Sequence, residues 1–157
     1  MTRDMMERYM RIALEEARLA GEAGDVPVGA CIVAGDRLLA RGRNRRQLTG
    51  DPLAHAEVEA LRAAAQASGG WNLSEATLFV TLEPCPMCAG ALMQARIAHV
   101  VFGAYDGRAG CCGTLYNLPE DGRFPWRARA TGGVLRAECA QLLTGFFHAR
   151  REEPRIY

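Results

Sequence analysis

Two short segments limit the folds open to this chain: His55-Ala56-Glu57 and Pro84-Cys85-Pro86-Met87-Cys88. Each stands where a loop gives way to a helix. Asp51-Pro52-Leu53-Ala54 leads into the first, and Pro86 in the second suits a first helical position, where its missing N–H costs nothing. Cys85 and Cys88 are three residues apart, so their sulfurs share a face and can chelate one ion. The positive end of a helix also favours thiolate over thiol. A Cys-x-x-Cys pair alone reads equally as a metal site or a redox pair, but a redox pair needs no histidine partner. A fold that uses His55 with both cysteines must bring two helix starts together.

Three good ligands, His55, Cys85 and Cys88, are one fewer than a structural zinc site normally has, and a catalytic site keeps its fourth position for water. Two thiolates and one imidazole favour zinc among divalent ions. Glu57 follows His55 by two residues, about 200° around a helix, which suits a general base beside the metal rather than a fourth ligand. The expected chemistry is hydrolytic. Water at the open position is the nucleophile at a carbon bearing an exocyclic amine, and Glu57 shuttles protons from the water to a ring nitrogen and to departing ammonia. His-x-Glu followed by Pro-Cys-x-x-Cys is the signature of zinc deaminases of nucleobases.

Hydrophobic spacing surrounds these motifs with alternating elements. Met6, Tyr9, Met10, Ala13, Leu14, Ala17 and Ala20 recur at three and four residues and predict a helix over 4–24, stopped by Gly21 and Gly24. The β-branched run 26–33, a turn at Gly35-Asp36-Arg37 and 38–41 predict a hairpin. A polar loop at 43–53, helices over 54–67 and 86–95, and strands over 77–82 and 98–103 follow. A long irregular stretch, 105–129, leads to a short strand near Val134 and a closing helix over 137–151. The order predicts one α/β domain over 1–157, a mixed sheet that opens with a hairpin and carries helices on both faces.

Composition narrows the class. Six cysteines in 157 residues fall well below the ~8–10% of a disulfide scaffold. The N-terminus has no apolar signal core and no run approaches the ~20 residues of a membrane span, so a cytoplasmic protein with reduced thiols is expected. The net charge of +1 announces no nucleic-acid partner. All basic residues are Arg, which suits bidentate phosphate contacts but also follows from genome composition.

Val26-Pro27-Val28-Gly29-Ala30, Asn44-Arg45, Asp51 through Glu57, Thr81 through Ala91, Arg96-Ile97, Val100 through Ala104, Asp106 and Phe146-Phe147 resemble the bacterial tRNA-specific adenosine deaminases, and the likeness runs from about 26 to 151. The stretch 82–106 is the most specific part. The resemblance implies a three-layer α/β/α cytidine-deaminase-like fold with a central mixed five-stranded sheet, one Zn2+ per subunit and a homodimer. It also implies conversion of adenosine to inosine at the wobble position of a tRNA anticodon. Carried over by position, Asn44 and Ala54 border the flipped adenosine, Tyr105 and Asp106 lie along the anticodon loop, and Phe147 and Arg150 sit near RNA. The chain departs from the family at Tyr105, often basic there, at Gly107-Arg108-Ala109, at Cys111-Cys112, and at 119–129.

Other residues have plainer readings. Cys31 and Cys139 are expected in the core, Cys111 and Cys112 as small packing residues, His99 as structural, and Met5, Met6 and Met10 as core filling. Arg41, Arg43, Arg45 and Arg46 form either a solvated face or a phosphate contact. Two other functions remain open at this stage. One is a deaminase of a free base or nucleoside of the guanine or cytosine type. The other is a non-catalytic zinc-stabilised binding module, which requires a fourth protein ligand, with Cys111 or Cys112 the candidates.

Overall fold

A computed structural model describes residues 1–151. Its order is α1 (Arg3–Glu22), β1 (Gly29–Ala34), β2 (Arg37–Arg43), α2 (Arg46–Thr49), α3 (Ala56–Ser68), β3 (Ala76–Leu82), α4 (Pro86–Gln94), β4 (His99–Ala104), β5 (Arg129–Thr131) and α5 (Arg136–Arg151). The five strands form one sheet in the order β2-β1-β3-β4-β5. β1 pairs antiparallel with β2 and β3, while β3, β4 and β5 run parallel. The mixed α/β/α sandwich expected from the sequence is present.

Strand alternation sorts the core into two layers. Ala30, Ile32, Leu78, Val80, Val100 and Phe102 pack with Ala56, Ala60, Ala89 and Leu92 of α3 and α4. Cys31, Val33, Phe79 and Val101 face the other way, onto Tyr9, Met10, Ala13 and Leu14 of α1 and Cys139 of α5. Both cysteines expected in the core are there, and burial pushes each thiol up to about 12. Met10 is fully buried, while Met5 and Met6 are only half-buried.

Two elements differ from the sequence expectation. Within the polar loop, 46–49 forms the single-turn α2, because the buried Asp25 carboxylate accepts the N–H groups of Gln47 and Leu48 at 2.6 and 3.1 Å. The last strand is 129–131, not near Val134. Arg129 N–H bonds to Ala98 and starts the β5 ladder, and Gly132-Gly133, the latter at φ 87°, then breaks it. Val134 still donates to Phe102 O at 3.2 Å from outside the strand.

The stretch 119–129 feeds β5. Ala128 N–H returns to Pro119 O at 2.9 Å, and the Trp126 ring lies 3.5 Å from the Arg96 guanidinium. His99 is structural, with Nε2 2.8 Å from Thr131 Oγ1 and Arg129 beside its other ring nitrogen. Among the described residues, no helix is long and apolar enough to cross a membrane.

Candidate active site

α3 and α4 start side by side at the carboxyl ends of strands on one face of the sheet. His55 is the N-cap of α3, in extended backbone (φ −73°, ψ 153°), and its N–H bonds back to Leu53 O at 2.8 Å. Cys85 is the N-cap of α4, also extended (φ −73°, ψ 176°), with Pro86 starting the helix and Cys88 one turn in. The caps are therefore not side-chain caps; they aim an imidazole and a thiol across the gap between two helix ends. His55 Nδ1 lies 3.6 Å from Cys85 Sγ and 3.5 Å from Cys88 Sγ, and the three ligand atoms all lie within 4.8 Å of one another.

These spacings can be tested against a metal. In a tetrahedron with metal–S near 2.3 Å and metal–N near 2.0–2.1 Å, nitrogen and sulfur stand roughly 3.5 Å apart. The observed separations fit. The cluster contains three groups among the described residues, and neither Cys111 nor Cys112 belongs to it. Both are buried against the same core layer instead.

The electrostatics agree with a cation-ready site. Cys85 is pulled down to about 4, chiefly because Cys88 donates to it and then because His55 faces it. Cys88 is pushed up because it gives its proton to Cys85 and is itself buried. His55 is raised by its bond to Cys85. Thiols bind a divalent ion as thiolates, so an ion held by this trio would displace the protons on the two sulfurs.

Glu57 is 4% exposed, and burial raises its carboxyl pKa. The 200° separation from His55 assumed that both residues were helical. Because His55 lies outside the helix, both side chains line one cleft. A carboxyl raised by burial beside a metal site suits proton transfer near neutral pH.

The cleft has a volume of about 240 Å³ and is walled by Val26, Val28 and Leu82, with Asn44, Arg46, Gln47, Asp25 and Asp106 around it. Asn44 is fixed by its own bonds: its amide donates to Val26 O at 3.1 Å and its Oδ1 accepts from Arg46 N at 3.1 Å. Ala54 is buried and does not line the cleft; its carbonyl accepts from Arg45 N at 2.9 Å and so ties the His55 loop to the start of α2.

Asp106 lines the cleft, while Tyr105 next to it is 44% exposed, with Arg136 4.9 Å from its ring centroid. Phe147 and Arg150 lie away from the cleft on α5. Phe147 is exposed, and Arg150 donates to Gly24 O at 2.6 Å beside the Asp25 turn. Of the arginine run, Arg41 and Arg43 face Glu15 and Glu16 of α1, and only Arg46 reaches the cleft. Sequence reasoning missed Asp25 and Glu83, two buried acids lining the cleft. The signal available was an acid beside an apolar strand.

The MafB19-like deaminase family model matches residues 5–151. A tRNA-specific adenosine deaminase of Bacillus subtilis (strain 168) is 46% identical over 153 residues, covering 98% of this chain and 94% of that protein. The chain belongs to the tRNA-specific adenosine deaminase family. Another member, from Haemophilus influenzae, is 44% identical, over 96% of this chain and 87% of its own length.

A solved tRNA:A34 deaminase involved in A-to-I editing at the wobble position superposes with a TM-score of 0.83 at 38% identity, covering 87% of this chain and 99% of that one. A guanine deaminase from Nitrosomonas europaea has a TM-score of 0.77 at 28% identity, covering 89% and 83%. The cleft of this deaminase is thus built on the same strand ends and helix starts that carry the family's motifs.

Proposed function

We propose that this deaminase converts adenosine to inosine at the wobble position of a tRNA anticodon, with His55, Cys85 and Cys88 holding one zinc ion. The observation that carries the proposal is the trio of ligand atoms at zinc spacing with a buried carboxyl, Glu57, in the same cleft. Zinc, when bound, supplies a Lewis acid that makes water nucleophilic near neutral pH. The absence of a fourth protein ligand from the cluster among the described residues supports a catalytic rather than a closed structural site.

Glu57 accepts a proton as water adds to C6 of the base, and returns protons to N1 and to the amine that leaves as ammonia. Atoms balance as adenosine plus water giving inosine plus ammonia. A cleft of about 240 Å³ is smaller than the roughly 300–1,000 Å³ of sites for drug-sized ligands. It admits one base and leaves the rest of an RNA outside. A base in an anticodon loop can be splayed out for this at low cost.

In this reading Asn44, held rigid from both sides, reads the base edge, with Ala54 fixing the loop beside it. Asp106 and Tyr105 follow the flanking nucleotides, and Phe147 and Arg150 meet RNA from α5. The protein works in the cytoplasm with its tRNA, as a homodimer. An apolar groove on the outer side of α3 and α4, with Leu61, Ala65, Trp71, Ala91 and Ala95, supports a second copy as partner.

The guanine deaminase neighbour favours a second reading, turnover of a free base. Both are tested by giving the zinc-loaded protein an anticodon stem-loop with a wobble adenosine and, separately, free adenosine, cytidine and guanine. Inosine from the stem-loop alone is expected. Ammonia from a free base alone would move the protein to nucleobase salvage.

A further inference from the structure

Glu83 directly follows β3, two residues before Cys85, and is 2% exposed. It lies in the cleft wall, yet the four hydrogen bonds of its carboxylate all go to one segment, 106–114. Oε1 accepts from Asp106 N at 3.1 Å and from Thr114 Oγ1 at 2.5 Å; Oε2 accepts from Cys112 N and Thr114 N, each at 3.0 Å. The segment otherwise has little regular structure, with one isolated bridge between Cys112 and Asn117. It is wrapped so closely on the carboxylate that a Cβ on Gly110 would collide with Glu83 Cδ. Asp106 in turn caps its own turn, accepting from Arg108 N and Ala109 N at 2.9 and 3.2 Å. Asp106 and Ala109 line the cleft.

We infer that Glu83 is a positioning residue for substrate: its carboxylate latches 106–114 into the shape that makes one wall of the cleft. It acts through Asp106 and Ala109, not on the metal ligands or on proton transfer. The inference rests on the reading that the cleft receives a nucleotide. The physical case is that three backbone N–H groups and one hydroxyl converge on a buried group that can only accept. An ionised carboxylate satisfies all four, and bonds to a charged acceptor are the stronger kind. Without it, a segment lacking strand or helix ladders has no internal partners for those amides, and its ordering costs entropy at each binding event.

Glu83→Gln tests the latch at constant shape. A carboxamide has one acceptor end. Its oxygen must stay with Cys112 and Thr114 N–H, and its NH2 then opposes Asp106 N–H, whereas the Thr114 hydroxyl can turn to accept. The expected result is faster hydrogen exchange at the Asp106 amide, and KM for the anticodon stem-loop raised about tenfold or more, with kcat within about threefold and zinc content unchanged. Thr114→Val removes only the hydroxyl bond and is expected to raise KM less, in the same direction, which keeps the test open if Glu83→Gln folds poorly.

Unchanged KM and exchange in both variants would overturn the inference. So would zinc and kcat falling together, since Glu83 would then be serving the Cys85 turn. If the wild-type protein leaves the stem-loop untouched, the functional reading fails instead, and the Asp106 exchange rate decides the latch by itself.

Discussion

Gly42 of β2 meets Ala56 of α3 backbone to backbone: a Cβ at Gly42 would collide with the Ala56 carbonyl oxygen and the Ala60 N–H. The helix that begins one residue after His55 is seated on the sheet by this contact. Gly42→Ala is expected to push α3 outward, lowering stability by about 1–3 kcal/mol and weakening zinc binding. Thermal melting and zinc titration of the variant check both effects, and a variant that loses stability but keeps its zinc affinity would show that the seat does not position His55.

Four cysteines lie within reach of the same region, and only two belong to the metal cluster. Cys85→Ser and Cys88→Ser are expected to lose bound zinc, while Cys111→Ser and Cys112→Ser keep it. Metal analysis of the four purified variants separates the open three-ligand site from a closed four-ligand one.

Glu57 is needed for chemistry rather than for holding the ion. Glu57→Ala is expected to retain zinc and to lose inosine formation by at least about 10²-fold, the usual scale for a general acid–base group. Full activity in the zinc-loaded variant would remove Glu57 from the mechanism.

His99 makes stability depend on pH. Burial first, then Arg129 and the chain's amino terminus, hold its pKa below the ordinary 6.5, against an opposing pull from Glu120. Because the folded pKa is depressed for a base, the unfolded chain takes up the proton first. The stabilisation is complete above about 6.5 and is lost as pH falls from there toward the folded value. Urea unfolding at pH 7.5 and 5.5 is expected to show a smaller difference for His99→Gln than for the wild-type protein. Equal differences would show that His99 contributes nothing to acid sensitivity.

The parts of this molecule that could be read in the sequence are those written locally. Pro86 at a helix start, His55 after Asp51-Pro52, and the apolar, β-branched composition of β1 and β3 each depend on neighbours a few positions away. What escaped depends on partners far along the chain. α2 forms because Asp25 caps it across 22 positions, and β5 is a three-residue Arg-Ala-Thr strand whose pairing with β4, not its composition, defines it. Glu83 reaches its donors 23 to 31 positions away, so nothing in its own surroundings announced a latch. Arg150 and Phe147 were placed near RNA by resemblance alone; on α5 the first is tied to Gly24 O and the second is an exposed ring.

The most direct measurement gives the zinc-loaded protein a wobble-adenosine stem-loop in heavy-oxygen water and identifies the product nucleoside by mass spectrometry. Inosine at the wobble position, carrying one solvent oxygen, is the expected result, since water is the nucleophile and the amine leaves as ammonia. Unmodified adenosine, or inosine without the heavy oxygen, would contradict hydrolytic deamination at this site.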